Sequence, residues 1–318
     1  MTHTNQPLVS VVMAAKNYAR FVPLAIGSVL RQTVTDWELI IVDDGSTDDT
    51  ASAVRPYLAD RRVRYVRSDQ LGQSRAKNLG ARLSRGAFIA YLDADDAWLP
   101  TKLEKQLDVL HAHPACGVCF CLRSLFDEND NPLTANAQQT VTAPPRGRVL
   151  PKIFLRNFVC FSSVVIRRQV FEHLGGFDPQ WDLAIDYDLW LRVARHYEFQ
   201  CVDEPLVLYR TGHGNLSQKL TDRVLTADSI MTRAIFRRGL QDKLSRELIG
   251  EGYASTYRSL GYTLRKTEPG AAAMWYWRAL MCPGRRREAA KGLVASLIEL
   301  ATGPYRPTPT GENATVNR

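Results

Sequence analysis

The sequence predicts an α/β fold, a sheet with helices on both faces, followed by a smaller region built of helices alone. Three observations carry this. The first hundred residues alternate β-branched apolar runs with helical spacing. Two acidic clusters each follow directly on an apolar strand. Beyond Ser217 the periodicity is helical only. Strand–helix–strand alternation is the signature of a parallel sheet covered on both sides.

In order, Val9–Ala14 reads as the first strand and Phe21–Gln32 as the first helix. Glu38–Val42 is a second strand, ending at Asp43-Asp44-Gly45-Ser46. A helix over Thr50–Leu58, a short strand Val63–Val66 and a helix over Gln73–Ser84 follow. The strand Ala87–Leu92 then stops at Asp93. After Pro100 come a helix (Thr101–His111), an apolar cysteine-rich strand, and an aperiodic polar stretch from Asp127 to Gly147 with the length of a functional loop. The strand Ser162–Ile166, a short helix to Leu174 and a helix over Asp186–Tyr197 complete a second block. The tail reads as three or four helices with breaks at Glu268-Pro269-Gly270 and Pro283-Gly284. The expected organisation is a domain of residues 1–217, with halves 1–100 and 101–217, a helical region 218–302, and a Pro-rich, disordered end at 303–318.

With 318 residues the chain is long enough to bury a full core. No run approaches the ~20 apolar residues of a membrane span, and the N-terminus lacks a basic segment followed by an apolar one. Cytoplasmic residence is therefore expected. Cys116, Cys119 and Cys121 sit in CGVCFCL, whose spacing is unusual for zinc, so they are expected as buried structural thiols. The net charge of +8 is uneven: residues 1–217 hold 24 Lys+Arg and 24 Asp+Glu, and residues 218–318 hold 17 and 9. A basic tail on a neutral body implies an anionic partner, either a membrane surface or a phosphorylated acceptor. The chain shows no nucleic-acid-binding motif, and no nucleic-acid partner is expected.

The chemistry concentrates in three places. Asp43, Asp44, Asp48 and Asp49 are more carboxylates than helix capping needs, and Asp43 and Asp44 suit a nucleotide's base and ribose. Asp48 and Asp49 instead suit the first turn of the next helix. Asp93-Ala94-Asp95-Asp96 is delivered by the apolar strand FIAYL; such crowding calls for a hard divalent cation, Mg²⁺ or Mn²⁺. Asp182, Asp186 and Asp188 surround the start of a helix, where each is either a cap or a proton acceptor, and the residues alone leave them tied.

Four segments together resemble glycosyltransferase family 2: SVVMAAKNYARFVPLAIGSVLRQT, WELIIVDDGSTDDT, GQSRAKNLGARLSRGAFIAYLDADDAWLP and GGFDPQWDLAIDYDLWLRVA. They stand in family order and span roughly residues 8–217. The resemblance implies the GT-A fold, a Rossmann-like nucleotide-binding mixed sheet, and inverting, metal-dependent transfer of a sugar from a nucleotide-sugar donor, a UDP-sugar first, to an acceptor hydroxyl. It assigns donor binding to Ala14, Asn17, Asp43, Asp44, Lys77, Asn78, Asp93 and Arg210. It assigns the metal to Asp95 and Asp93 and the catalytic base to Asp186, with Asp188 in reserve. His213, in the stretch YRTGHGNLS, resembles a late family motif that closes over the diphosphate and adds a metal or phosphate contact. Ala14 and Lys16 stand where the family often has Pro and Tyr, Lys77 where it often has Arg, and Ile185 where it often has Glu.

The implied acceptor is a cell-surface polysaccharide or a lipid-linked glycan at the cytoplasmic face of the inner membrane. The aromatic Trp275-Tyr276-Trp277 and the basic Arg285-Arg286-Arg287, next to an apolar helix, suit a membrane-surface contact or packing on the body, and the basic excess of the tail tilts the reading to the membrane. Two alternatives stand. Nucleotidyl transfer would normally bring a glycine-rich first loop, whereas AAKNYAR has no glycine. A non-catalytic sugar-nucleotide or glycan-binding protein of the same fold would be favoured by loss of Asp95 or Asp186, and both are present.

Overall fold

The computed structural model describes residues 6–133, 144–212, 219–283 and 286–302. They form two compact units, Met1–Lys219 with Ser229–Leu244, and Leu220–Asp228 with Ser245–Arg318. The sequence set a boundary at residue 217. The first unit also takes in a segment from beyond it.

In the first unit, β1 (Val9–Ala15), β2 (Trp37–Asp43), β3 (Val63–Arg67) and β4 (Phe88–Tyr91) run parallel in the order β3-β2-β1-β4. β1, β2 and β4 are near-continuous apolar runs, as expected of strands covered on both faces, whereas β3, at the sheet edge, carries Arg64 and Arg67. Every residue of β2 is buried. Each fully buried Val, Ile or Leu contributes about 1.5–3 kcal/mol. Glu38, a buried charge of β2, is satisfied: it accepts hydrogen bonds from the Ser10 hydroxyl at 2.8 Å and from the Arg85 amide.

The sheet continues on the other side of β4 with β7 (Val165–Arg167), β6 (Cys116–Phe126), β8 (Glu198–Arg210) and the two-residue β5 (Ala97–Trp98), giving eight strands. β7 is antiparallel to both β4 and β6, β8 is parallel to β6, and β5 is antiparallel to β8, so the sheet is mixed. The segment expected as a strand from Ser162 begins with a 3-10 turn, Phe161–Ser163, and becomes strand at Val165. The helices are α1 (Val22–Leu30), α2 (Thr50–Val54), α3 (Gln73–Leu83), α4 (Lys102–Ala112), α5 (Leu150–Leu155), α6 (Arg168–His173), α7 (Ile185–His196) and α8 (Leu220–Phe236). Pro56 converts the end of the expected second helix into a 3-10 turn, Arg55–Ala59. All six cysteines are free thiols, five of them buried.

The chain steps from β1 outward through β2 to β3, then returns to place β4 on the opposite side of β1. This reversal opens a crevice beyond the carboxyl ends of β1, β2 and β4, where ligands of such sheets bind.

The second unit contains α9 (Arg246–Leu264), α10 (Pro269–Met281) and α11 (Arg286–Thr302), which pack on one another. Tyr276 of α10 is buried among them, and a Cβ at Gly292 would lie 2.1 Å from its ring, so α11 can approach only through glycine. α11 buries its small residues Ala289, Gly292 and Ser296. Its large ones, Val294, Leu297 and Ile298, are exposed, as are Met274, Trp277 and Met281 of α10. Among the described residues, no helix is long and apolar enough to cross a membrane.

Candidate active site

The crevice is lined by three loops that follow β1, β2 and β4. The first, Lys16–Arg20, is stitched to the turn after β2. Asn17 takes a left-handed conformation (φ 62°), which asparagine tolerates. Its amide oxygen accepts from the Thr47 amide at 2.8 Å, while its own backbone N–H donates to the Ser46 hydroxyl at 2.9 Å. Asp48, read from sequence as a helix-start residue, also holds this loop by accepting from the Ala19 amide at 3.0 Å. Ala14, near the end of β1, is half-buried.

Asp43 and Asp44 divide their work. Asp43 is buried at the end of β2, accepting from the Ser46 amide at 2.7 Å and the Tyr65 hydroxyl at 2.5 Å. Asp44 accepts from the Ser68 hydroxyl at 2.9 Å, the Leu71 amide at 2.6 Å and the Gly72 amide at 2.9 Å. Its carboxylate therefore shapes the loop that leads into α3. Gly72 has φ 84°, and a Cβ there would lie 2.7 Å from an oxygen of Asp182, so this loop and the segment before α7 meet only across a glycine.

From α3, Lys77 reaches under the crevice. Its buried ammonium lies 2.9 Å from Asp93 Oδ1 and 4.1 Å from the centre of the Phe161 ring. Asn78 donates to the Phe177 carbonyl at 2.8 Å and accepts from the Phe177 amide at 3.0 Å, so its side chain ties α3 to the Gly-Gly-Phe-Asp segment.

The turn after β4 gathers the acidic residues. Burial raises the Asp93 carboxyl above the usual range; Lys77 opposes this, and the charges of Asp95 and Asp186 add to it. The structure thus brings Asp93, Asp95 and Asp186, three residues singled out from sequence, into one electrostatic neighbourhood. Asp96 is buried, accepting from the Ser162 hydroxyl at 2.5 Å and the Arg210 amide at 2.9 Å; burial, then Asp95 and Asp93, push its carboxyl well up. Tyr18 joins the same cluster. Burial, then Asp95, Asp93 and Asp96, raise its phenol. Sequence reasoning did not single out Tyr18; an aromatic in the first loop was its only signal.

Arg210, at the end of β8, is buried beneath this turn. It donates to the Asp95 carbonyl at 2.8 Å and the Asp127 carbonyl at 3.0 Å, and pairs with Asp130 at 2.7 Å. Its guanidinium also stacks over the rings of Phe126 and Phe21, at 4.1 and 4.6 Å. It braces the acidic turn from behind. His213 lies outside the described residues.

Of the three carboxylates left tied by sequence, Asp182 is exposed before α7, where it meets the Gly72 loop, and the other two sit in different settings. Asp186, in the first turn of α7, is half-buried and accepts one hydrogen bond from Asn157 Nδ2 at 2.7 Å. Asp188 is buried, gripped by Arg192 at 2.8 Å and Arg238 at 2.6 Å. Arg238 and Arg233 both reach Asp178, at 2.9 and 3.0 Å. This ion network fixes α7 to the Gly-Gly-Phe-Asp segment and was not foreseen, because two of its three arginines, Arg233 and Arg238, lie fifty or more residues further along the chain. Among the described residues, no three carboxylate, imidazole or thiol groups stand together as a ready metal site.

A mixed sheet of this order, with paired acidic turns beyond its parallel strands, defines a nucleotide-binding transferase architecture. The profile of Glycosyl transferase family 2 matches residues 10–175, and the chain belongs to that family. It is 33% identical over 214 residues to an uncharacterized glycosyltransferase of Nostoc sp., covering 65% of each chain. It is 28% identical over 218 residues to chondroitin synthase of Escherichia coli, covering 68% of this chain but 31% of that protein. Among solved structures, it resembles mannosyltransferase PcManGT of Pyrobaculum calidifontis, in complex with GDP-Man and Mn²⁺, with a TM-score of 0.60 and 19% identity over 93% of this chain and 87% of that one. It also resembles S. aureus TarS 1–349, in complex with UDP-GlcNAc, with a TM-score of 0.57 and 12% identity over 94% and 93% of the two chains. At these identities the structural likeness speaks to the fold.

Proposed function

We propose that the chain transfers a sugar from a nucleotide-sugar donor to an acceptor hydroxyl with inversion at the anomeric carbon. The convergence of Asp93, Asp95 and Asp186 beyond the parallel strands carries this reading. The donor nucleotide lies along the loops organised by Asn17, Asp43 and Asp44. Lys77, held against Asp93, keeps a positive charge at the floor of the crevice. Asp186 accepts the proton of the attacking hydroxyl, and Asn157 fixes the orientation of its carboxylate. A UDP-sugar is the first donor to test, since TarS 1–349 was captured with UDP-GlcNAc.

The donor set fits a hard divalent cation. Asp93 and Asp95 crowd negative charge at one turn, and Lys77 offsets only part of it. Mg²⁺ and Mn²⁺ commonly bind through one or two carboxylates plus substrate phosphates, so a preformed cluster of three protein ligands is not required. Bound by Asp93 and Asp95, such an ion would neutralise charge on the departing diphosphate.

The acceptor we propose is a lipid-linked or cell-surface glycan met at a membrane's cytoplasmic face. What supports this is that α10 and α11 expose Met274, Trp277, Met281, Val294, Leu297 and Ile298, and that α11 also exposes Arg286, Arg287 and Lys291. Exposed aromatic, aliphatic and basic residues together suit the boundary between lipid headgroups and acyl chains.

The test is to incubate the protein with Mn²⁺, a panel of UDP- and GDP-sugars and candidate lipid-linked acceptors, and to follow nucleoside diphosphate release and the product's anomeric configuration by NMR. An inverted product, lost in Asp186→Asn, is expected. A product that keeps the donor's configuration would contradict the inverting reading.

A further inference from the structure

At the far end of α7 from Asp186, the first unit contains a pocket of about 510 Å³ that the proposed transfer does not use. Its floor is apolar, formed by Leu174, Leu191, Ala234 and Leu240. Its polar lining is entirely basic: Arg192, Arg195, Arg237, Arg238 and His196, with no carboxylate among the lining residues.

These charges are not equivalent. Arg192 and Arg238 are neutralised by Asp188, and Arg238 also by Asp178. Arg195 and Arg237 have no carboxylate partner among the described residues. Arg195 donates from one nitrogen to the Arg238 carbonyl, and the rest of its guanidinium comes within 3.6 Å of where a Gly239 side chain would begin. The same position lies 3.8 Å from Asp242 Oδ2, a carboxylate beside the pocket but not among its lining residues. Arg195 and Arg237 thus stand over an apolar floor with no carboxylate ion pair among the described residues. His196 senses the same surplus: burial, then the positive charges of Arg195, His173, Lys243 and Arg148, lower its imidazole.

We propose that this pocket is a second ligand site, binding the phosphate group of a small ligand through Arg195 and Arg237. Guanidinium forks match phosphate oxygens in pairs, and the apolar floor accommodates an attached hydrocarbon. The phosphate comes either from a free phosphate compound or from a phosphorylated amphiphile, and the recognising chemistry is the same.

The experiment is calorimetric titration of the full chain with inorganic phosphate and, separately, with octyl phosphate below its micelle concentration. EDTA is present, so that no divalent ion draws phosphate to Asp93 and Asp95. Saturable binding of either probe is expected, weakened about tenfold in Arg237→Ala and partly restored in Arg237→Lys, in line with the loss of a charge-assisted pair. Arg237 is exposed, so the variant should melt with the wild type. Tighter binding of octyl phosphate identifies the amphiphile as the source, and equal binding identifies free phosphate. A second readout is the His196 imidazole, followed by NMR and assigned with His196→Gln. A bound dianion stabilises its protonated form, so its titration should move to higher pH on saturation. No saturable binding, binding unchanged in Arg237→Ala, or a His196 titration unmoved at saturation would each overturn the proposal.

Discussion

Replacing Asp188 by asparagine separates a structural carboxylate from the proposed base, Asp186, only two residues away. Asp188 is 1% exposed and accepts from two guanidinium groups, whose side chains are 12% and 22% exposed. Removing one partner of a buried ion pair costs about 3–5 kcal/mol, because the surviving charges stay desolvated. Partial exposure of Arg238 lets water compensate in part, so about 3 kcal/mol is expected. For a unit of this size each kcal/mol moves the melting temperature by about 2–4 °C, which gives a fall of roughly 6–12 °C. Asp186→Asn loses a single hydrogen bond from Asn157 and should melt within about 3 °C of the wild type. Calorimetry on both variants, with transferase turnover measured well below the melting range, tests the pair. Asp186→Asn should be folded and inactive, and Asp188→Asn destabilised with turnover remaining at low temperature. A fully stable but inactive Asp188→Asn would refute the reasoning and make Asp188 the base.

Three further outcomes follow from the geometry. Burial pushes the Lys102 ammonium down from 10.5 to about 8, partly opposed by Cys121, Cys119 and Cys160. The folded state then binds fewer protons than the unfolded one between those values, so Lys102 should make stability rise from pH 8 to about 10.5. Urea melts of Lys102→Met under reducing conditions should lack that rise, and parallel profiles for the two proteins would contradict it. Asp44→Ala should strand the Leu71 and Gly72 amides, costing about 2–4 kcal/mol and speeding hydrogen exchange at both. Replacing Trp277 and Ile298 by serine should reduce sedimentation with anionic vesicles without lowering the melting temperature, since both side chains are exposed. Undiminished vesicle binding would argue against that surface.

The first half of the sheet was legible because β1, β2 and β4 are strongly apolar and its strands alternate with helices, which leaves few topologies open. β8 was not read as a strand, although it runs for thirteen residues, because Asp203-Glu204-Pro205 interrupts its pattern. The structure accommodates the interruption through register shifts against β6 around Leu122. The acidic turns were legible as clusters, yet the division of labour within them was not. Sequence shows that Asp43, Asp44 and Asp96 are acidic. It cannot show that Ser46, Leu71 and Ser162 fold back to satisfy them. Within the tie among Asp182, Asp186 and Asp188, Asp188 is set apart by burial and by Arg238, remote in sequence, where local spacing shows only Arg192. Arg210 likewise carries a charge pattern that suits a phosphate, while its place among Phe21, Phe126 and the Asp95 carbonyl depends on three distant segments.

The central claim, that the crevice beyond β1, β2 and β4 binds a nucleoside diphosphate together with a divalent cation, is tested most directly by thermal shift. UDP, GDP, dTDP and CMP would each be added with and without Mn²⁺ to the wild type and to Asp95→Ala. A ligand bound only by the folded protein raises the melting temperature, by a stabilisation that grows as the logarithm of one plus its concentration over its Kd. One nucleoside diphosphate should stabilise the wild type only with Mn²⁺, and Asp95→Ala should lose that response. Stabilisation that is independent of metal and equal in both proteins would contradict the role given to Asp95, and no stabilisation by any nucleotide would contradict the donor site itself.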